Sequence, residues 1–491
     1  MTSSGRAIPQ SPRISRRTVL AAAVAGGGGV AAARLLGLRA LGDEAPAALP
    51  GAAAERQSLD WVSPLGAEAA RVAHLLRRTT FGAAAADLER AQSDGYARTV
   101  DRQLDTPPAA PPALAGAEEA SQSAAINFGN LQQWWVDHML ASPTPFAERM
   151  TLFWHGHFTS DYRKVGLQYP FIYWQNLTWR AMGLSDLRSM LHQVTVDPAM
   201  LRYLDLGNST GRNPNENYSR ELMELFTMGP DAFTESDVRS GAQALAGWRE
   251  PRTQAMLDGA RKQNPSVLKD VKADTVSTGV FEKQRAYSGK VTFLGEAGTF
   301  DTDRVIDTIL KQDATAPFIT RRIVTHFVRP DPDDAYIARL AQRFRATRYD
   351  VRSLMRDVLT SEEFSAAPGY RSLVKSPTEF MVHAARALGN PGLGRLIATS
   401  GQGMGQSLFD PPSVGGWPEN EGWVSSNTML ARANFVTAAV SATKKLPPAD
   451  RAHAQHLDSV LSPQTLKLLN EAGDDRRRWT IILASPEFQL K

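Results

Sequence analysis

The chain has 491 residues, of which 42% are hydrophobic and 22% charged, a composition typical of a globular protein with two or three domains or one large helical body. Six of its 55 basic residues and two of its 51 acidic residues lie in the first 54 positions, which leaves 49 of each sign in the remainder. This neutral remainder gives no electrostatic reason to expect a nucleic-acid partner. The absence of cysteine excludes disulfides, thiolate metal ligands and a cysteine nucleophile.

The N-terminal segment has the pattern of an export signal. Arg16 and Arg17 precede a weakly hydrophobic stretch rich in Ala and Gly, which is typical of the twin-arginine route. A membrane anchor is the alternative, but Arg34 and Arg39 interrupt the apolar run before it reaches the roughly 20 residues that a membrane span needs. We therefore predict a signal peptide and spacer over residues 1–54, no stable transmembrane anchor, and a secreted or cell-envelope protein.

The rest of the chain is predicted to be mainly α-helical. Residues 55–104 are expected to form an N-terminal helical segment, followed by a Pro-rich stretch over 105–112 and a main helical domain over 118–491. Gly, Pro and Lys are frequent around residues 250–300, where the stretch 290–294 is β-prone, so we expect a small irregular or β excursion there. The predicted architecture is a large multi-helical body.

Two histidines, His155 and His157, lie in the aromatic stretch FWHGHF at 153–158. We predict a helix over 146–154 that ends before Gly156, because glycine disfavours helix. In the extended turn that would follow, residues two apart face the same way, so both imidazoles would point to one side. In a helix they would diverge. The alternative is that both are hydrogen-bonded residues of the core.

The segment NPNENYSRELMELFTMG at 213–229 concentrates ionisable side chains in a helix-forming stretch. Its Asn and Pro residues suit a helix start, and its final Gly suits a helix end, which predicts a helix over 215–228. On that helix Glu221 and Glu224 are one turn apart and share a face with Asn217. Neighbouring carboxylates raise each other's proton affinity, which suits an acid/base pair or a pair of metal ligands.

These residue types indicate two kinds of site. The first is a metal site for a divalent transition metal such as zinc, iron or manganese, with a ligand set of His155, His157, Glu221 and Glu224. The second needs no metal. In it, the catalytic acid and base would come from Glu221, Glu224 and His155, with Asp161 as a further candidate.

Aromatic and polar residues near these groups would line a substrate site. Carbohydrate sites are lined by aromatic faces, and glycosidic hydrolysis needs two carboxyl groups roughly 5 to 10 Å apart. The candidates for substrate binding are Trp154, Asn217, Arg220, Trp417 and Trp423. The alternative is structural: the rings belong to the core or anchor loops, and Glu216, Arg220 and Glu224 form a solvated charge ladder.

Six stretches of the sequence are similar to a known family. They are AHLLRRTTFG at 73–82, FWHGHF at 153–158, the segment 213–229, ALAGW at 244–248, LGEAG at 294–298, and GGWP at 415–418 with the residues from 423 to 435. Over about residues 67–440 the chain resembles the exported bacterial proteins catalogued as domain of unknown function 1800. The resemblance implies export but no reaction or substrate. Relatives often carry a His-Asp pair shortly before the LGEAG motif, where this chain has Ala286 and Tyr287; if that pair is catalytic in relatives, this chain is altered there.

From these observations we expect an exported hydrolase of an extracellular or cell-envelope polymer, acting through a His/Glu site with or without a metal. The alternative is a non-catalytic exported scaffold or binding protein in which the same motifs are buried packing signatures. The partner in either case would be an extracellular polymer or an envelope component.

Overall fold

The structure, a computed structural model, describes residues 61–117, 126–263, 272–274 and 276–491. The signal peptide and spacer predicted over residues 1–54 lie outside this part of the chain. Within it the prediction of a mainly α-helical fold is confirmed, because helices alternate with short loops and only two small sheets. None of the helices in these ranges combines the length and the apolar character that crossing a bilayer requires.

Helices follow one another closely in the N-terminal half. Several start at a side-chain cap: Asn127, Asp186 and Asp197 each accept a hydrogen bond from the backbone N–H three residues later, which satisfies a donor that the helix itself cannot pair. In chain order these helices are α1 (Glu68–Thr79), α2 (Ala85–Asp94), α3 (Tyr96–Asp105), α4 (Phe128–Ala141), α5 (Pro145–His157), α6 (Tyr162–Val165), α7 (Phe171–Met182), α8 (Leu187–Val196), α9 (Pro198–Tyr203), α10 (Asn217–Glu224), α11 (Glu235–Leu245) and α12 (Gln254–Gln263).

The C-terminal half is helical in the same way. A capping box starts the helix after Ser376, whose side chain accepts from the Glu379 N–H while the Glu379 carboxylate accepts from the Ser376 N–H. The helices of this half are α13 (Thr302–Lys311), α14 (Thr315–Phe327), α15 (Asp334–Ala346), α16 (Val351–Leu359), α17 (Glu362–Ser365), α18 (Pro377–Ala387), α19 (Gly394–Ser400), α20 (Ser426–Ala442), α21 (Ala452–Leu457), α22 (Pro463–Asn470), α23 (Asp475–Ala484) and α24 (Pro486–Gln489).

The β structure lies where the sequence predicts it, around residues 250–300. Strand β1 (Trp248–Arg249) pairs antiparallel with β2 (Val280–Phe281), and β3 (Val291–Phe293) pairs antiparallel with β4 (Glu296–Gly298). The second pair is a hairpin whose two turn residues, Leu294 and Gly295, both have positive φ, as a tight two-residue hairpin turn requires. Short 3-10 turns complete the secondary structure: Leu206–Asn208, Lys283–Arg285, Ala367–Gly369, Pro391–Leu393, Gln402–Met404 and Asn420–Trp423.

Helix α5 continues through His157, so the predicted end at residue 154 is wrong. A helical Gly156 is unfavourable by about 1 kcal/mol relative to Ala, but the surrounding helix is buried and the Phe158 N–H still donates to the Trp154 carbonyl at 2.7 Å. Tertiary packing therefore outweighs the propensity of one residue. Because His155 and His157 are two positions apart on a helix, their side chains point to different sides.

Helix α10 is shorter at both ends than the predicted 215–228. Beyond its last residue the Phe226 N–H donates to the Glu221 carbonyl at 3.0 Å, and the Met228 N–H donates to the Met223 carbonyl at 2.8 Å. Each of these bonds spans five residues, so the chain leaves the helix through a wider, π-type turn. This turn brings the backbone of Phe226 towards α5.

Two hydrophobic clusters form the core, and α5 contributes to both. Phe153 and Trp154 belong to the larger cluster, which also contains residues of α8, α10 and α13 to α16. Leu152 belongs to the second cluster, with residues of α4, α18, α20 and α23. Leu75 and Leu104 lie in the larger cluster, so α1 and α3 of the N-terminal helical segment share that core.

The loop around the GGWP motif packs against the last turn of α5. At Gly416 the backbone has φ +82°, and a Cβ added there would lie 2.3 Å from the Gly156 carbonyl oxygen. Glycine alone accommodates both the positive φ and this close approach without strain. The contact between these two glycines sets the distance between the loop and the helix.

We expect Gly416→Ala to destabilise the protein by more than the roughly 1–2 kcal/mol that a positive φ alone imposes on alanine, because the added methyl also meets the Gly156 carbonyl. Gly405→Ala is the matched control, since Gly405 has φ +91° in the same loop but open space around its Cβ position. Urea unfolding of both variants measures the difference. Equal losses of unfolding free energy in the two variants would show that the loop is not in tight contact with α5.

Candidate functional site

His155 is buried and bonded within the protein. Its Nε2 accepts a hydrogen bond from the Phe409 N–H at 3.1 Å, and its ring packs against Trp135 and Trp417. Phe409 has φ +65°, a conformation unfavourable for a residue other than glycine by about 1–2 kcal/mol. The bond to His155 therefore holds a strained turn in place. Burial lowers the pKa of His155 to about 3, so the ring is neutral near pH 7.

His157 joins α5 to the segment 213–229. It is buried, and its Nε2 lies 3.1 Å from the Phe226 carbonyl oxygen; since a carbonyl only accepts, this nitrogen carries the proton and donates. Burial, with a smaller effect from the positive charge of Arg322, lowers the pKa of His157 to about 3. The motif FWHGHF and the segment 213–229 are therefore in contact, and this hydrogen bond joins α5 to the backbone that follows α10.

Trp154, predicted to bind substrate, is completely buried. Its Nε1 donates to the Gly183 carbonyl at 2.9 Å, and its ring stacks on Phe158. Neither face of the indole is open to a ligand. The substrate-binding prediction is wrong for this residue, because the aromatic cluster around α5 is part of the core.

Glu221 and Glu224 lie on the solvent side of α10, and both are half-buried. The predicted pairing is present: burial first, and then the negative charge of Glu224, raise the pKa of Glu221, against a smaller opposing effect of Arg220. A carboxyl group with raised proton affinity in a half-buried position has the character of a general acid.

The third predicted carboxylate, Asp161, is near the same surface. The half-buried Tyr203, the last residue of α9, connects the two: burial and then the negative charges of Asp161 and Glu221 raise the pKa of its hydroxyl. The negative charges of both carboxylates therefore raise the pKa of the same phenol, Tyr203. The sequence analysis did not single out Tyr203, and its position at the end of a short helix carried no signal of this role.

Asp161 is held in place by its own turn. Its Oδ1 accepts from the Arg163 N–H at 2.8 Å, and both of its oxygens lie 3.2 Å from the Arg163 Nε. The same guanidinium reaches Asp410 at 2.6 Å, in the loop that follows Phe409. The surface formed by Asp161, Tyr203 and Glu221 is thus bordered by this loop.

Two residues of α10 were predicted to bind substrate: Asn217 lies one turn before Glu221 on the same face, and Arg220 points towards Glu216 and Glu235. Arg220 donates two hydrogen bonds of 2.7 Å to Glu235 and lies 3.8 Å from Glu216, so much of its binding capacity is used within the protein. Asn217 is half-buried at the first turn of α10, where its N–H donates to the Asn215 side chain. This part of the helix has the features of the charge ladder that was the alternative interpretation.

The four predicted metal ligands do not converge. Among the described residues, no group of three or more His, Asp or Glu side chains is arranged to hold a metal ion. The prediction of a set formed by His155, His157, Glu221 and Glu224 is wrong for a physical reason: α5 remains helical, so the two imidazoles diverge, and the Nε2 atom of each is already bonded to a backbone group. The residues present do not fit a metal.

Trp417 and Trp423 lie together, but elsewhere. They line a cavity that also contains Arg322, His326 and Glu379, and none of Asp161, Glu221 or Glu224. Sequence analysis missed these three residues. Their spacing carries one signal, because Arg322 and His326 are four positions apart on α14 and so share a face.

Ala286 and Tyr287, which stand where relatives often carry a His-Asp pair, lie beside the segment 213–229. The Gly211 N–H donates to the Arg285 carbonyl at 2.7 Å, and a Cβ at Gly211 would lie 2.6 Å from the Ala286 carbonyl oxygen. Ala286 and Tyr287 thus pack against the chain two residues before Asn213. A substitution at Ala286 or Tyr287 would therefore alter the packing at the start of the segment that carries Glu221.

Comparison with known proteins identifies the family. The model of the family described as "Protein of unknown function (DUF1800)" matches residues 74–490, most of the chain, and the chain belongs to this family. The match reaches about 50 residues further towards the C-terminus than the six sequence motifs do. No curated protein and no solved structure matches the chain.

The low pKa values of His155 and His157 can be tested by NMR. In the folded protein we expect neither imidazole to titrate between pH 8 and pH 5, whereas both should titrate near 6.5 in urea. Because the folded pKa is depressed, each ring weakens folding as pH falls below 6.5, by about 2 kcal/mol at pH 5, and contributes nothing above that range. A folded-state titration of either ring near pH 6.5 would contradict its burial.

Proposed function

We propose that the protein is an exported hydrolase of an extracellular or cell-envelope polymer, and that it works by acid/base chemistry without a metal. The observation that carries the proposal is that the negative charges of Asp161 and Glu221 both act on the half-buried Tyr203, while the proton affinity of Glu221 is raised. Support for export comes from the twin-arginine pattern at Arg16 and Arg17.

The two carboxyl groups are suited to different roles. Glu221, which retains its proton to higher pH than an ordinary glutamate, would protonate the leaving oxygen of a glycosidic bond. Asp161, oriented by Arg163, would take a proton from the attacking water. The half-buried ring of Tyr203 would supply an aromatic surface near them for a sugar ring.

A second candidate function is a non-catalytic scaffold or binding protein. It is favoured by the burial of the motif residues: Trp154, His155 and His157 all bond to backbone groups inside the core. In this case Glu221 and Glu224 would be a solvated pair on a surface helix. The two candidate functions predict different effects of removing one carboxylate.

Glu221→Gln should reduce hydrolysis by about 10²- to 10⁴-fold, because it removes the acid but keeps the shape of the side chain. The melting temperature should stay within a few degrees of the wild type, since Glu221 is half-buried and makes no ion pair with the residues that the structure describes. Release of soluble fragments from fluorescently labelled polysaccharides and peptidoglycan measures the activity. Glu216→Gln, at the start of the same helix, is the matched control. A wild type that cleaves none of these polymers, or a Glu221→Gln variant that cleaves them normally, would favour the scaffold.

Glu224→Gln should move the alkaline limb of the pH profile of kcat/KM to lower pH. The general acid must be protonated, so activity falls as pH rises through the pKa of Glu221; removing the charge of Glu224 lowers that pKa. Carboxyl ¹³C NMR of Glu221 follows the same change without substrate. A limb that stays in place or moves to higher pH would exclude Glu221 as the acid.

A further inference from the structure

A cavity of about 70 Å³ lies between the last turn of α5, helix α14, the start of α18 and the GGWP loop. Its lining includes Phe153, Gly156, Arg322, His326, Trp417 and Trp423. The Arg322 side chain is 33% exposed, so the cavity meets solvent at that residue. It is lined by none of the residues of the proposed hydrolase site.

Two nitrogen atoms at this cavity are buried without a partner. Arg322 Nε and His326 Nε2 have no hydrogen-bond partner in the described part of the chain. The two residues are one turn apart on α14, so they present their nitrogens from the same side. A buried donor without a partner is unfavourable by about 1–3 kcal/mol, which a ligand atom that accepts from both would recover.

The charges around the cavity favour an anion. The Glu379 carboxylate is already satisfied, because it pairs with Arg149 and Lys491 and accepts from the Ser376 N–H at 2.7 Å. Arg322 has only Glu419, at 3.7 Å, which is an ion pair without a hydrogen bond. Of the cations that line the cavity, Arg322 is therefore the one whose charge is least compensated, because Lys491 already pairs with Glu379.

His326 supplies a neutral donor beside Arg322. Burial, followed by the charges of Lys491 and Arg149, holds the pKa of His326 well below its ordinary value, against an opposing effect of Glu379. The imidazole is therefore neutral. In its Nε2–H tautomer it donates one hydrogen bond into the cavity without adding a charge.

Part of the cavity wall is aromatic. Phe153, Trp417 and Trp423 supply aromatic surface, which favours an anion that carries an alkyl group over a fully hydrated inorganic ion. An apolar cavity that holds benzene measures about 150 Å³. A space less than half that size admits a group of only a few heavy atoms.

We propose that this cavity binds a short-chain monocarboxylate, with the carboxylate between Arg322 and His326 and the alkyl group against Trp417 and Trp423. The carboxylate accepts from both unpartnered nitrogens, and the guanidinium charge of Arg322 balances it. The alkyl end removes apolar surface from water.

Titration of the full-length protein with sodium propionate, followed by calorimetry, tests the proposal. We expect saturable binding with a Kd on the order of 1 mM. Propionamide, which has the same shape without the charge, and benzoate, which is too large, should give no saturable heat. Absence of propionate binding, or equal binding of propionamide or inorganic phosphate, would overturn the assignment.

Substitutions locate the site. Arg322→Gln should weaken propionate binding by at least about tenfold, because it removes a charged donor to the carboxylate. Arg321→Gln changes the same charge at the neighbouring position, where the side chain is exposed and pairs with Asp334 at 2.6 Å, and should leave binding unchanged. Equal effects of both variants would indicate a general surface-charge effect and contradict the proposal.

Gly156→Ala gives a test that does not depend on charge. Gly156 lines the cavity, and a Cβ added there meets no atom within 4 Å, so the methyl enters open space. Alanine also has the higher helix propensity, so the melting temperature should be unchanged or higher. We expect weaker propionate binding in this folded variant. Wild-type affinity in Gly156→Ala would place the binding elsewhere.

Discussion

The burial of α5 on all its sides is the constraint on which the rest of the structure depends. From Glu148 to His157 only Gly156 retains partial exposure, so every polar side chain in this stretch must find its partner inside the protein. Glu148 illustrates the solution: it accepts from the Trp135 indole at 2.9 Å and from the Arg180 Nε at 2.5 Å. Both partners come from neighbouring helices. Glu148, Arg149, His155 and His157 therefore each fix another segment, while Thr151 bonds to the Ala147 carbonyl within the helix. Removing one member of a buried ion pair typically destabilises a protein by about 3–5 kcal/mol.

The same burial explains why the histidine motif, which in sequence resembles a catalytic or metal-binding motif, has a structural role in the folded protein. An imidazole is one of few side chains that can both fill an apolar site and satisfy a single backbone group. His155 uses this capacity to hold the strained turn at Phe409, and His157 uses it to hold the chain after α10 at Phe226. The groups that the core did not absorb are consequently those assigned to the two proposed sites: Asp161 and Glu221 to the proposed hydrolase site, and Arg322 with His326 to the proposed ligand cavity.

The sequence was sufficient for features that depend on neighbours along the chain and insufficient for those that depend on distant ones. The mainly α-helical character and the β3–β4 hairpin follow from local periodicity and turn chemistry, and so does the shared face of Glu221 and Glu224. The end of α5 was misplaced because the propensity of one glycine is small beside the burial of a whole helix. The role of Tyr203 depends on Asp161, 42 positions earlier, and the Glu379 to Lys491 pair spans 112 residues, so no local pattern could reveal either.

The last turn of α5 links the two candidate sites. Through His157 it bonds to Phe226, immediately after the helix that carries Glu221, and through Gly156 it lines the cavity at Arg322. Gly156 has two roles in this turn: its carbonyl accepts the close approach of Gly416, and its missing side chain leaves the cavity open. A larger residue would keep the helix but fill the space. Gly156, which in the sequence predicts a break in the helix, is therefore explained by its contacts with the loop and the cavity rather than by its helix propensity.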